Sequence, residues 1–122
     1  MATILTIGLH PNVIDYTRYP GLDEATLTAR IEQGDAALRA AGFDAVPCLI
    51  GTDPDAAERT VRERLSEGAF DLVMIGAGVR MAPEHTPLFE RLINVLVETA
   101  PGIRFCFNTS PETTVDALRR WA

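Results

Sequence analysis

The sequence predicts a three-layer α/β/α fold around a four-stranded parallel sheet, and three observations predict it. Short apolar runs alternate with helical stretches four times over. Gly or Pro punctuates the joints between them. The strands differ in apolar content in the way that central and edge strands of a parallel sheet differ. A length of 122 residues fits one domain spanning 1–122, and 47% hydrophobic residues are enough for its core.

Each element has its own signal. The first strand reads Thr3–Ile7. The first helix runs from Asp23 to Ala41, with Leu27, Ile31, Gly34, Leu38 and Ala41 on one face. Gly42 stops it, as the residue just past a helix end often does. The second strand is Ala45–Ile50. Asp53-Pro54-Asp55 opens the second helix with an acidic cap and a proline in the first turn, and Gly68 closes it. Leu72–Ile75 is the third strand. The third helix spans Pro87–Thr99 and stops at Pro101-Gly102. Ile103–Phe107 is the fourth strand, and Ser110-Pro111-Glu112 caps a last helix that turns Val115, Leu118 and Trp121 inward.

Strand order follows from the same residues. The third strand is apolar throughout, as a central parallel strand should be. Pro47 places the second strand at an edge, because proline cannot donate to a ladder. The fourth alternates Ile103, Phe105 and Phe107 with Arg104 and Cys106, which also suits an edge. The order 2-1-3-4 results, with right-handed crossovers.

Composition excludes several chemistries. A net charge of −6 argues against nucleic acid or an anionic membrane as a partner. All 11 basic residues are arginine, as in a GC-rich coding sequence. There is therefore no P-loop lysine, no Schiff base and no lysine general base. Cys48 and Cys106 lie in strands without metal or redox spacing and read as small hydrophobes. No His/Cys/Asp/Glu cluster has metal-ligand spacing, so no metal is expected. No apolar run reaches a membrane span and no basic leader opens the chain, so a cytoplasmic location is expected.

The layout resembles flavodoxin-like and receiver domains, and the stretch Ile75–Trp121 is similar to stand-alone bacterial Rossmann-like proteins. That resemblance implies the fold and no activity. Receiver chemistry is missing: His10-Pro11 stands where an acidic pair is needed, Gly76 where the phospho-accepting aspartate is needed, and no lysine follows. The layout also resembles the IIB domains of phosphotransferase systems, but no cysteine follows the first strand. Asp53 ends the second strand where a ribose-binding acid would lie, yet the first turn lacks a glycine fingerprint.

In open α/β sheets ligands bind beyond the strand ends where the order reverses, here between strands 1 and 3. After strand 1 a long connection carries His10, Asn12, Asp15, Tyr16, Arg18 and Tyr19, longer than the roughly 2–6 residues usual there. After strand 3 come Gly76-Ala77-Gly78, which permit close backbone approach, and Arg80, whose guanidinium suits phosphate or carboxylate. After strand 4, Asn108-Thr109 stand at a helix start. The expected function is binding of a small anionic metabolite or nucleotide, with Asn12, Tyr16, Tyr19, Gly76, Gly78, Arg80, Asn108 and Thr109 around it. The alternative is an enzyme with His10 as acid or base and Asn12 or Asn108 polarising the substrate. His85, in an acidic turn, reads as solvated.

The third helix suggests a further alternative, an interaction module. Leu88, Phe89, Leu92, Ile93, Val95, Leu96 and Val97 cover about 200° of its circumference. One packing face needs less, so a homodimer through this helix is expected.

Overall fold

The computed structural model describes residues 3–122. Four strands form one parallel sheet in the order β2-β1-β3-β4: β1 Thr3–Leu9, β2 Asp44–Ile50, β3 Leu72–Ile75 and β4 Arg104–Phe107. Helices α1 Glu24–Ala40, α2 Pro54–Ser66, α4 Thr86–Thr99 and α5 Thr114–Trp121 cover it, with the one-turn α3 Ala77–Arg80 after β3. This is the three-layer Rossmann-like architecture that the sequence predicts. No helix is long and apolar enough to cross a membrane among the described residues.

The register shows why the strands sit where they do. β1 pairs with β2 from Thr3 opposite Asp44 to Leu9 opposite Ile50, and with β3 from Ile4 opposite Leu72 to Ile7 opposite Ile75. Pro47 lies opposite Thr6 on edge strand β2, where only one side of the strand needs partners. β1 runs two residues beyond its expected end at Ile7. The pairing with β2 continues there, and the His10 N–H donates to the Ile50 carbonyl at 2.8 Å.

Side chains alternate between the two faces. One face holds Leu5, Ile7, Cys48, Ile50, Val73 and Ile75, all buried. It meets Ala57 and Val61 of α2 and Leu88, Leu92, Val95 and Leu96 of α4. The other face carries Ile4, Leu72, Met74 and Cys106, under Leu38 of α1 and Ala117 and Leu118 of α5. Leu38 is the one fully buried side chain of the 17-residue α1.

Two expectations about packing change. Trp121 is 51% exposed, because α5 ends there and its inward face is already filled by Thr114, Ala117 and Leu118. The apolar surplus of α4 is taken up within the chain. Phe89 and Ile93 are half-buried against the core, the Phe89 ring edge-on to Phe107 at 6.2 Å, and only Val97 of the seven apolar residues is exposed. Most of the apolar face of α4 is thus buried against α2, α3 and β4. Ion pairs Arg62–Glu98 and Arg91–Asp55 lace α4 to α2 along the rim. Both cysteine thiols are pushed up to about 11 by burial, as befits core residues.

Candidate functional site

A cavity of about 360 Å³ opens between the sheet and α1. Its floor is Thr6, Gly8, Pro47, Leu49 and Met74, the residues of β1, β2 and β3 that face α1. Its roof is the N-terminal and middle part of α1: Leu27, Thr28, Ile31, Glu32 and Asp35. At the strand ends His10, Pro11, Gly76, Gly78 and Asn108 rim its mouth, and Ser110, Pro111 and Thr114 form one wall. The volume falls in the range of roughly 300–1,000 Å³ found for small-molecule sites, and the mouth lies at the point where strand order reverses.

α1 is held at its middle and at its C-terminal end, and the cavity lies beside these contacts. Gly34 lets the helix approach the Pro111 turn so closely that a Cβ there would meet the Pro111 carbonyl oxygen at 3.1 Å. Arg30 grips Glu112 through two N–H groups, at 2.9 and 2.6 Å. Leu38 anchors the C-terminal end in the core. Towards the N-terminus only Leu27 and Ile31 face the sheet, and both stay half-exposed. Beneath them Leu49 is 41% exposed, an unusual state for a leucine on a sheet face that a helix covers.

Four of the residues singled out from sequence line this cavity: His10, Gly76, Gly78 and Asn108. His10 is exposed at the mouth, and its Nδ1 accepts the Asn12 N–H at 3.1 Å, which caps the one-turn 3-10 helix Pro11–Val13. That bond leaves Nε2 as the ring nitrogen free to carry a proton. Asn108 is buried, and both ends of its amide are bonded. Its Oδ1 accepts the Ala77 N–H at 2.9 Å and its Nδ2 donates to Thr114 Oγ1 at 2.9 Å, so it clamps the ends of β3 and β4 to α5. The Gly76 N–H is also spent, on the Ile7 carbonyl at 2.8 Å.

The others lie elsewhere. Arg80 turns away from the cavity: Nε donates to the Ile75 carbonyl at 3.3 Å, Nη2 donates to the Asn108 carbonyl, and the guanidinium stacks 5.0 Å from the Phe107 ring. Burial lowers its pKa, and two of its N–H groups hold the ends of β3 and β4. Tyr16 donates its hydroxyl to the Pro11 carbonyl at 2.6 Å and so folds the long connection onto itself. Tyr19 is 48% exposed and points out of that connection, which Arg18 ties to Glu84. Asn12 is exposed outside the lining. The Thr109 N–H goes to Thr113 Oγ1 at 2.9 Å.

The electrostatics of the lining differ from the basic crevice expected. It contains no arginine, and α1 contributes two carboxylates, Glu32 and Asp35. Burial pushes the Asp35 carboxyl up; Arg39 pulls the other way and Glu32 adds to the rise. Among the described residues no group of three His, Cys, Asp or Glu is placed to hold a metal ion.

Sequence reasoning missed the roof of the site. A signal was present: α1 offers few large apolar side chains on its inner face, and edge strand β2 presents Pro47 and Leu49 on the side those side chains should cover.

No protein-family model matches the chain. It is similar to trans-aconitate 2-methyltransferase of Escherichia coli O157:H7, in strain EC4115 / EHEC and in a second O157:H7 sequence, at 29% identity over 89 residues in each case. The match covers 68% of this chain and 35% of the enzyme, so the chain corresponds to about a third of that protein.

Proposed function

We propose that this chain is a small-molecule-binding domain whose site is the cavity between α1 and the sheet. The observation that carries the reading is an open, largely apolar space of about 360 Å³ lined by Leu27, Ile31, Leu49 and Met74. A folded chain normally fills such space to near crystal density, because unfilled apolar volume costs stability. An occupant with a hydrocarbon body recovers those contacts. Position supports the reading too, since the mouth coincides with the switch point where open α/β sheets take their ligands.

This reading keeps the place expected from sequence and changes its chemistry. With no arginine in the lining and the Thr109 N–H given to Thr113, little in this cavity favours a phosphate. The one-turn α3 adds too small a dipole to replace Arg80. Trans-aconitate itself, a tricarboxylate, is a poor candidate beside Glu32 and Asp35.

A second reading is catalysis in the same cavity. It is favoured by His10, which stands at the mouth with Nδ1 occupied and Nε2 available, and by the partial likeness to a methyltransferase. His10 would then act as acid or base on a ligand held by the apolar walls.

A nuclear magnetic resonance titration with 3-phenylpropan-1-ol, an uncharged probe, separates these readings from an empty cleft. Binding should move the signals of Leu27, Ile31, Leu49 and Met74, and a Thr6→Leu variant that fills the floor should abolish the shifts. His10→Ala should leave binding intact on either reading, and should stop turnover only on the second. Shifts that spread evenly over the surface, or that persist in Thr6→Leu, would sink the proposal.

A further inference from the structure

The roof of the cavity carries charge as well as hydrocarbon. Glu32 and Asp35 stand three residues apart on α1, on the side that lines the cavity with Leu27, Thr28 and Ile31. Every other element of the lining is neutral apart from His10 at the mouth. Neither carboxylate makes a hydrogen bond or an ion pair among the described residues, although eight ion pairs occupy other acids of the same chain. Asp35 is half-buried, with Arg39 near enough to influence it but not bonded to it.

A carboxylate taken partly out of water with no partner costs the folded state free energy. Such a group beside a cavity is a candidate for binding a complementary charge. The partner that fits is set by what surrounds it. A bare metal ion needs more ligands than two carboxylates, and the apolar floor of Pro47, Leu49 and Met74 offers none. A cation attached to a hydrocarbon body satisfies both halves of the site at once.

We infer that the cavity selects a primary amine on a short apolar body, with its ammonium group held by Asp35 and assisted by Glu32, and its hydrocarbon laid between Leu27, Ile31, Leu49 and Met74. The inference rests on the reading of the cavity as a ligand site and adds the ligand's charge to it. The ammonium donates charge-assisted hydrogen bonds to the Asp35 carboxylate in a space of lowered dielectric, where such bonds are stronger than in water. A carboxylate ligand of the same size meets repulsion from both acids, and a neutral ligand gains only the apolar contacts.

Three probes sharing one skeleton test it: 3-phenylpropylamine, 3-phenylpropan-1-ol and 3-phenylpropanoate, titrated at pH 7 by calorimetry with resonance mapping. The amine should bind about tenfold more tightly than the alcohol, and the carboxylate more weakly than both. Asp35→Asn should reduce the amine to the affinity of the alcohol and leave the alcohol unchanged, and Glu32→Gln should give a smaller loss of the same kind. Equal affinity of amine and alcohol, or a preference for the amine that survives in Asp35→Asn, overturns the inference while the cavity reading stands. Failure of all three probes to shift the cavity signals overturns both.

Discussion

The two faces of the sheet are each covered by helices of similar total length, yet they are filled differently. On the face of α2 and α4 every inward strand residue from Leu5 to Ile75 finds a large apolar partner, and Leu88, Leu92, Val95 and Leu96 are buried together. On the face of α1 and α5 the core is confined to one end, around Leu38, Met74, Cys106 and Leu118, and the other end stays open under α1. The difference lies in the helices more than in the strands. α4 brings six large apolar residues to its interface; α1 brings Leu27, Ile31 and Leu38, and uses Gly34 to pack against Pro111. A helix can therefore be held by a few contacts at its middle and its C-terminal end and still leave space against the sheet.

The sharpest way to break this comparison is to truncate one leucine-sized side chain on each face. Leu92→Ala on the dense face should cost roughly 2–5 kcal/mol. Ile31→Ala, over the open end, should cost about 1 kcal/mol or less, because little packed volume is lost there. Urea unfolding of both variants reads the difference, and equal losses would mean that the two faces are equally packed. Arg80→Ala comes next. Losing two carbonyl ties and the stack on Phe107 should destabilise by about 1–3 kcal/mol while leaving the affinity for an uncharged cavity probe unchanged. A variant that kept its stability and lost binding would return Arg80 to the site.

Two glycines sharpen the comparison at smaller scale. An alanine Cβ at Gly8 would meet only Leu49 Cδ2, at an ordinary 3.9 Å, so Gly8→Ala should add about 0.5 kcal/mol in thermal unfolding. Gly34→Ala should show no such gain although it lies within a helix, since its Cβ would press on the Pro111 carbonyl at 3.1 Å and push the middle of α1 away from that turn.

The smallest effect is in pH. Asp35 has a folded-state pKa above its unfolded value, so the folded protein holds that proton more tightly. The associated stability is fully present below the unfolded pKa and is lost as pH rises through the folded one. Wild type should therefore lose stability relative to Asp35→Asn across that interval, as read by unfolding at a series of pH values. Parallel profiles would remove Asp35 from the partly buried roof.

The fold was legible because its signals are local and repeated. Pro47 marked an edge, the unbroken Leu72–Ile75 run marked a centre, and the caps at Asp53 and Ser110 marked helix starts. The site was legible only at the strand ends. His10, Gly76, Gly78 and Asn108 follow from the topological rule, which states where a crevice lies. The side chains that shape the cavity depend on how far α1 stands from the sheet, a long-range consequence of Gly34 against Pro111 and Arg30 against Glu112. No periodicity encodes that distance. Arg80 shows the same limit from the other side: its residue type suits an anion, but two of its N–H groups go to carbonyls at the ends of β3 and β4.

The most direct test of the account is a methyl-resonance map of the protein titrated with 3-phenylpropan-1-ol. The account predicts saturable shifts at Leu27, Ile31, Leu49 and Met74, with Leu92, Leu96 and Val73 on the opposite face unmoved. Shifts confined to the α2–α4 face, or no saturable shift beneath α1, would contradict it.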